Sequence, residues 1–512
     1  MPDNNTTWSP TRAQAASNSR ALNYLFYAAG LLTALLTLVM IYRGWREGVA
    51  LTPTSGTWIA LAVDLKHGMF YRPMYGDLGY GGTRYLPLHF VLHALLMKVG
   101  LGPVAAGHAL EGIAGLGLLF GIYRILRKLG AGAWTAACFA VAALVPKAAQ
   151  IAILSIRGDL LPTALVVLGL ASCMTAKLGR WHLLSALLLF TLAFAAKPTS
   201  LYGAGAVFLF LVLSRQIGKA VFLLLGTGVG CAAVIGVTAL ASGGRFITVL
   251  RACATTAGYN LPAGLWRFIN MPAKGMPIDF VFLIFGFAGF LVLARKRLTS
   301  LPAVYFACTA VSTAIVLGAD GTNLNHFLDV GVASVVVFAA WLFDGKTKER
   351  EFGMAALVSV IAFASCSTVY SIRHTNEGGN YFDFGYSDSM REAVAFIGKT
   401  DKPILASHPL LPILAGQQPY MLDVWMFRMV ADQDPGYEQH LSDAIRQRQF
   451  GAIVLEEDLG SYNLPYFLPA KETEDVRQNY VLARKLPRAY IFLPRGAEDG
   501  AAPAITKSAA TP

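Results

Sequence analysis

The chain has 512 residues, of which 55% are hydrophobic and only 14% charged, with a formal net charge of +12. A soluble domain carries roughly 25% charged residues, and a helix needs roughly 20 apolar residues to cross the hydrocarbon core. The apolar residues here gather in blocks of about that length, which excludes a soluble globular protein. In such a chain the positive charge is explained by basic cytoplasmic loops and not by nucleic acid.

Taken in chain order, residues 1–20 read as a polar, basic cytoplasmic tail. No small-residue cleavage site follows the first apolar block, which reads as a retained span rather than a signal peptide. Spans are predicted near 21–42, 104–124, 132–150, 160–177, 181–196, 201–214, 218–241, 276–294, 300–318, 325–343 and 352–371. Basic linkers then fall on one side. They hold Arg124, Arg127 and Lys128; Lys177 and Arg180; Arg215 and Lys219; Arg295, Lys296 and Arg297; and Lys346, Lys348 and Arg350. That side is cytoplasmic, as is the N-terminus. The stretch "YLPLHFVLHALLMKVG" (85–100) is apolar but short, with Pro87 in its first turn. It reads as a helix in the outer interface and not as a twelfth span.

The threading divides the chain into a transmembrane module over 21–371 with a first outer loop at 43–103, and an extracytoplasmic α/β domain over 372–495. A disordered tail follows over 496–512. In the α/β domain "SMREAVAFIGK" and "YEQHLSDAIRQRQ" have the period of amphipathic helices, while "PILAS", "GAIVLEE" and "AYIFLP" read as buried strands. The six cysteines sit mostly inside apolar blocks at irregular spacing and read as small buried residues. Internal repeats, which transporters commonly show, are not evident.

Ionisable groups at membrane depth are costly and mark function. Here they share the outer face. Lys147 closes the third span, Arg157 and Asp159 in "SIRGDLLP" open the fourth, and Lys197 in "AFAAKPTS" sits between the fifth and sixth. "GADGTNLNHFLD" brings Asn323, Asn325, His326 and Asp329 to the tenth, and His108 and Glu111 enter the second span from the same side. A rim of Lys and Arg beside lipid suits a lipid-linked phosphate, because cations stabilise its charge on leaving. A carboxylate in the same pocket can take the proton of an acceptor hydroxyl. A metal signature is weak: the one DxD, Asp432 and Asp434 in "ADQDPG", reads as a polar turn. In the 242–275 loop Arg245, Arg251, Tyr259, Trp266 and Arg267 form a basic and aromatic set. It suits either a mobile lid or an amphipathic surface helix.

"WIALAVDLKHGMFYRP" followed by "GYGGTRYLPLHFVLHALL", then "SIRGDLLP", "AKPTS" and "GTNLNHFLD", resemble in order and sidedness the GT-C class of membrane glycosyltransferases. This class includes protein mannosyltransferases, lipid A aminoarabinose transferases and oligosaccharyltransferase catalytic subunits. The resemblance implies an all-α polytopic membrane protein of about 11 transmembrane helices plus an interfacial helix, with a small C-terminal α/β extracytoplasmic domain. It also implies a multi-pass enzyme of the cytoplasmic membrane using a polyprenyl-phosphate sugar donor. General-base-assisted inverting transfer would go to a hydroxyl on a glycan, lipid or protein acceptor, with Mg or Mn as a candidate divalent cation. The slot that commonly holds the acid falls near Thr54 and Ser55, and neither is a base. The catalytic carboxylates by this resemblance are Asp64, which shares a helical face with His67, and Asp159. Donor phosphate and lipid would be held by Arg72, Lys147, Arg157, Lys197, Arg251 and Arg267. The sugar and acceptor pocket would be His67, Tyr85, His108, Glu111, Asn323, Asn325, His326 and Asp329. Asp159 either caps the helix after it or orients the acceptor. The rival readings are a transporter or flippase of a lipid-linked or anionic solute, and a non-catalytic scaffold on the same fold.

Overall fold

The computed structural model describes residues 12–496 except 49, 176, 257, 297–299, 345–346, 374–385, 462–463 and 465–466. Residues 1–11 of the expected N-terminal tail, Arg297, Lys346 and the expected tail beyond 496 lie outside the described residues.

After α1 (Arg12–Glu47) the chain enters α2 (Pro53–Lys66). Pro53 takes the first helical position, where its missing N–H leaves nothing unpaired, and every residue from Ser55 to Asp64 is buried. A short hairpin, β1 (Tyr75–Gly76) and β2 (Gly79–Tyr80), precedes α3 (Leu88–Lys98). The 11 residues of α3 reach about 16 Å at 1.5 Å per residue. That is about half the hydrocarbon thickness, so the stretch 85–100 does not form a span.

α4 (Pro103–Lys128) is a full-length apolar helix. The third expected span is not straight, because α5 (Ala133–Ala142) and α6 (Lys147–Leu154) meet at 82°. Pro146 lies in the break and lacks an N–H to carry a helix through it. The carboxylate of Asp279 then accepts the N–H groups of Lys147 (2.8 Å) and Ala148 (3.1 Å), capping α6 from another helix. The bundle continues through α7 (Leu160–Cys173), α8 (Arg180–Ala196), α9 (Tyr202–Leu213) and α10 (Ile217–Ala241). The 242–275 loop folds into two helices, α11 (Arg245–Thr255) and α12 (Leu261–Gly275), before α13 (Pro277–Lys296), α14 (Leu301–Val316), α15 (Phe327–Asp344) and α16 (Thr347–Arg373).

Among the described residues five helices are long and apolar enough to cross a bilayer: Ala21–Glu47, α4, α10, α13 and Leu324–Asp344. Counted as one broken span, the bent α5–α6 pair brings the number to six. The other expected spans fall on shorter apolar helices, among them α7, α8, α9 and α14. Their buried faces form one continuous core from Phe26 to Ala364. The protein is a helical, multi-span membrane protein.

Beyond the bundle come α17 (Tyr386–Ile397), β3 (Ile404–Ala406), α18 (Leu410–Leu414), α19 (Val424–Ala431), α20 (Pro435–Arg446) and β4 (Ala452–Leu455). α21 (Ala470–Asn479), β5 (Tyr480–Leu486) and β6 (Ala489–Pro494) complete the unit. The sheet order is β3-β4-β6-β5, with β3 and β4 parallel and the other pairs antiparallel. The three strands read from sequence coincide with β3, β4 and β6. β5 escaped notice because Leu482, Ala483, Arg484 and Lys485 are all exposed, leaving no alternation to read.

This unit is locked to the first loop. Tyr80 N–H donates to Tyr420 O (2.8 Å) and Leu422 N–H to Tyr80 O (3.0 Å), a single parallel bridge between the hairpin edge and Met421 of the C-terminal unit. Trp58, Phe90, Leu410 and Ile491 share one apolar cluster. His408, fully buried, supplies a third tie. Leu410 N–H donates to its Nδ1 (3.3 Å), so the ring proton belongs on Nε2, which donates to Leu51 O (3.0 Å). Burial lowers the imidazole below its ordinary value, against opposing contributions from Glu456 and the Leu51 carbonyl. The unfolded chain therefore takes up a proton near pH 6.5 that the folded chain refuses. The His408 contribution is complete above about pH 6.5 and is lost as pH falls toward the lowered folded-state value. The thermal midpoint in detergent should accordingly drop more steeply between pH 7 and 5 in the native protein than in His408→Gln. Parallel curves would contradict the assignment.

Candidate functional site

A cavity of about 930 Å³ opens where the bundle, the first loop and the C-terminal unit meet. Each wall has a local cause. The α6–α7 connection carries Arg157, Gly158 and Asp159. Gly158 has φ +66°, a conformation costly for residues with a Cβ. A Cβ there would also lie 2.8 Å from the Trp58 ring. Its N–H donates to Glu111 Oε1 (3.2 Å), which pairs with His89 Nε2 (3.0 Å) in a fully buried dyad below the loop. Lys197 ends α8 in extended conformation, because Pro198 cannot follow inside an α-helix. Asn325 and His326 lie on the one-turn helix Leu324–His326 that leads into α15. Trp58, stacked on Tyr85 with ring centroids 4.3 Å apart, forms the first-loop wall together with Thr54 and Arg84.

The polar centre is Asp159. Its carboxylate accepts from Lys197 Nζ (2.7 Å) and from Asn325 Nδ2 (3.0 and 3.1 Å), and Arg157 Nε stands 3.8 Å away. Asp159 occupies the N-cap position of α7, but its side chain makes no capping bond. The lateral contacts have taken it. Beneath this layer Asp329 accepts from Thr163 Oγ1 (2.5 Å) and Tyr202 OH (2.7 Å).

Of the residues singled out from sequence, Tyr85, Arg157, Asp159, Lys197, Asn323, Asn325 and His326 line the cavity. The others do not. Asp64, expected as a base, is buried in a two-pronged pair with Arg72, expected on the donor phosphate: Nε to Oδ2 and Nη2 to Oδ1, both 2.6 Å. Arg72 Nη1 also donates to Leu78 O (3.0 Å) and Pro419 O (2.7 Å), so the pair joins the first loop to the C-terminal unit. Burial raises the Asp64 carboxyl, and the Arg72 guanidinium opposes that rise. His67 is an exposed C-cap of α2. Lys147 stands at the α5–α6 break, and His108 is buried against Trp45, ring centroids 5.1 Å apart. Glu111 and Asp329 support the cavity floor without lining it. Arg267 donates to the carbonyls of Leu317 (3.0 Å) and Ala319 (3.4 Å) at the end of α14, and Arg251 lies exposed on α11.

The sequence reading named neither Arg84 nor the residues of a wall from the C-terminal unit, Asp423, Trp425, Glu456, Phe467 and Arg488, although "SHPLLPILAGQQPYMLD" (407–423) reads as a segment for acceptor binding or support. Nothing in their spacing signals them, since they come from four separate segments. Asp423 begins α19, where its Oδ1 accepts the N–H of Met426 (3.1 Å). Burial raises its carboxyl above the ordinary range, opposed by the Met426 N–H, the Arg84 charge and the Trp425 N–H. Arg84 makes no hydrogen bond or ion pair among the described residues, and Arg157 Nε is buried without a hydrogen-bond partner among them.

A divalent cation, the candidate cofactor, finds a poor donor set here. Among the described residues no three His, Cys, Asp or Glu side chains stand close enough to hold one. The central carboxylate, Asp159, is already surrounded by Lys197, Arg157 and Asn325. The Lys197 and Arg157 charges repel a metal ion, and the Asn325 amide already occupies the carboxylate.

No family model and no curated protein sequence matches the chain. Solved structures do. The chain is similar to ArnT from Cupriavidus metallidurans bound to undecaprenyl phosphate, with TM-score 0.62 and 11% identity over 90% of this chain and 97% of that one. The apo state of the same protein gives TM-score 0.57 at 11% identity, over 91% and 98%. The archaeal oligosaccharyltransferase AglB from Archaeoglobus fulgidus, in complex with an inhibitory peptide and a dolichol-phosphate, gives 0.52 at 12% identity, over 93% and 74%. At such identities the likeness is one of architecture: the chain has the fold of the GT-C membrane glycosyltransferases, with a small mixed sheet at its C-terminal end.

Proposed function

We propose that the protein is a membrane glycosyltransferase that moves a sugar from a polyprenyl-phosphate donor to an acceptor hydroxyl. The observation that carries this reading is the surplus of cationic side chains in the cavity. Among the described residues four line it, Arg84, Arg157, Lys197 and Arg488, against three carboxylates, Asp159, Asp423 and Glu456. An arginine without an ion pair and a second with an unsatisfied buried N–H leave two cationic groups short of partners. A phosphate supplies what both lack, and as the sugar leaves, the same cations stabilise the charge that develops on it. In this reading Asp159 holds Lys197 and Arg157 in position, and Asn323, Asn325 and His326 contact the sugar. The neighbours in complex with undecaprenyl phosphate and dolichol-phosphate support a lipid-linked donor. With the basic linkers cytoplasmic, the cavity and the C-terminal unit face the outer side of the cytoplasmic membrane.

The test uses purified protein and two lipids that differ only in the phosphate. Undecaprenyl phosphate should stabilise the protein against heat, by about 2.7 kcal/mol at a hundredfold excess over its Kd, and undecaprenol should not. Equal stabilisation by both would leave an apolar groove and remove the phosphate site.

A further inference from the structure

The first-loop slot expected to hold the acid is occupied by Thr54 and Ser55, and Thr54 does line the cavity. A transferase acting on a hydroxyl still needs a proton acceptor. We propose that this acceptor is Asp423, delivered from the C-terminal unit. The inference rests on the glycosyltransferase reading above and names its base.

The backbone shows how a carboxylate from so far along the chain comes to this place. Met421 forms a single parallel bridge with Tyr80, held by the Tyr80–Tyr420 and Leu422–Tyr80 hydrogen bonds. Asp423 comes two residues after Met421, so this bridge ties it to the first loop. Its Oδ1 is oriented by the Met426 N–H at 3.1 Å. The other carboxylates are differently engaged. Asp64 lies outside the cavity in the grip of Arg72, Glu456 interacts with the buried His408, and Asp159 meets Lys197, Arg157 and Asn325. Cations in contact lower proton affinity, which is wrong for a base. Among the described residues Asp423 has no salt bridge, and its exposure is only 7%. Burial raises its carboxyl above the ordinary range, against the opposing pull of the Met426 N–H, the Arg84 charge and the Trp425 N–H.

The step balances as follows. The acceptor oxygen bonds to the anomeric carbon as the bond from that carbon to the phosphate oxygen breaks. The electron pair stays with the phosphate, which leaves as polyprenyl phosphate beside Arg84, Arg157 and Lys197. The hydroxyl proton passes to Asp423 and from there to solvent.

Asparagine caps helices as well as aspartate, so Asp423→Asn removes the base and keeps the start of α19. Polyprenyl-phosphate sugars are measured by mass spectrometry in cells lacking the chain and in the same cells given back the native protein, Asp423→Asn or Glu474→Gln, the last an exposed carboxylate of α21 outside the cavity. One such lipid should accumulate without the chain and be cleared by the native protein and Glu474→Gln. Asp423→Asn should clear it about 10²- to 10⁴-fold more slowly, while the purified variant keeps its thermal midpoint and its stabilisation by undecaprenyl phosphate. Normal clearance by Asp423→Asn, or an equal slowing in Glu474→Gln, overturns the assignment. So does a loss of stability in step with the loss of turnover. If Asp423→Asn fails to fold, Asp423→Ser, also a good cap, takes its place under the same criteria, and its failure to fold would make the residue structural. If no polyprenyl-phosphate sugar differs between native and deleted cells, the proposed function itself falls, whatever Asp423 does.

Discussion

Asp64→Ala is expected to destabilise the folded protein by about 3–5 kcal/mol, the range for removing one partner of a buried ion pair. The magnitude follows from burial. Arg72 and Asp64 are 1% and 2% exposed, so water cannot take over the charge left behind. The guanidinium would keep its bonds to Leu78 O and Pro419 O but lose both of its charge-assisted bonds to Asp64. Gln418 Nε2, 3.3 Å from Asp64 Oδ1, would lose a partner as well. Domains are stable by only about 5–15 kcal/mol, so such a loss removes a large part of the margin. The damage should concentrate where the first loop meets the C-terminal unit. Limited proteolysis there, together with the thermal midpoint in detergent, reads it directly. A variant with native midpoint and native protease resistance that had lost only turnover would return Asp64 to the role of base.

The second large effect is expected at the phosphate site. Arg84→Ala and Arg157→Ala should each weaken undecaprenyl phosphate binding by about 10- to 100-fold, since a hydrogen bond to a charged partner contributes about 1.5–3 kcal/mol. Without ligand, neither replacement should cost stability of that order. Arg84 makes no bond to lose among the described residues, and removing Arg157 also removes a buried Nε that has no hydrogen-bond partner there. Lys197→Ala should behave differently, because it breaks the 2.7 Å contact to Asp159 and leaves that carboxylate with less compensation. Thermal midpoints with and without undecaprenyl phosphate separate the two patterns. If Arg157→Ala lowered the unliganded midpoint as much as Lys197→Ala does, the arginine would be part of the scaffold and not a ligand group.

Hydrophobic blocks were enough to place the helices, because a chain in lipid must satisfy its backbone within each segment. Prolines fixed where helices stop, and so which polar residues stand at their ends. Lys197 was found as a charge between two apolar spans, and Pro198 after it is what ends the helix there. The 82° break at Pro146 was missed because one proline in an apolar block is tolerated in many straight spans. Asp64 misled for a related reason. Its three-residue spacing from His67 describes one helix face, but Arg72, beyond the helix end, turns back to meet it.

The sequence by itself determined the class of the protein, the run of its helices, three of the four C-terminal strands and the set of polar residues at the helix ends. Local rules govern all of these: hydropathy, periodicity and the chemistry of proline. Tertiary structure decided which of those polar residues meet. Asp159 finds Lys197 38 residues away and Asn325 166 residues away, and no local pattern encodes such pairings. It alone placed the C-terminal wall, because Asp423 is brought to the cavity beside a bridge between Met421 and Tyr80, and that pairing depends on packing between distant segments.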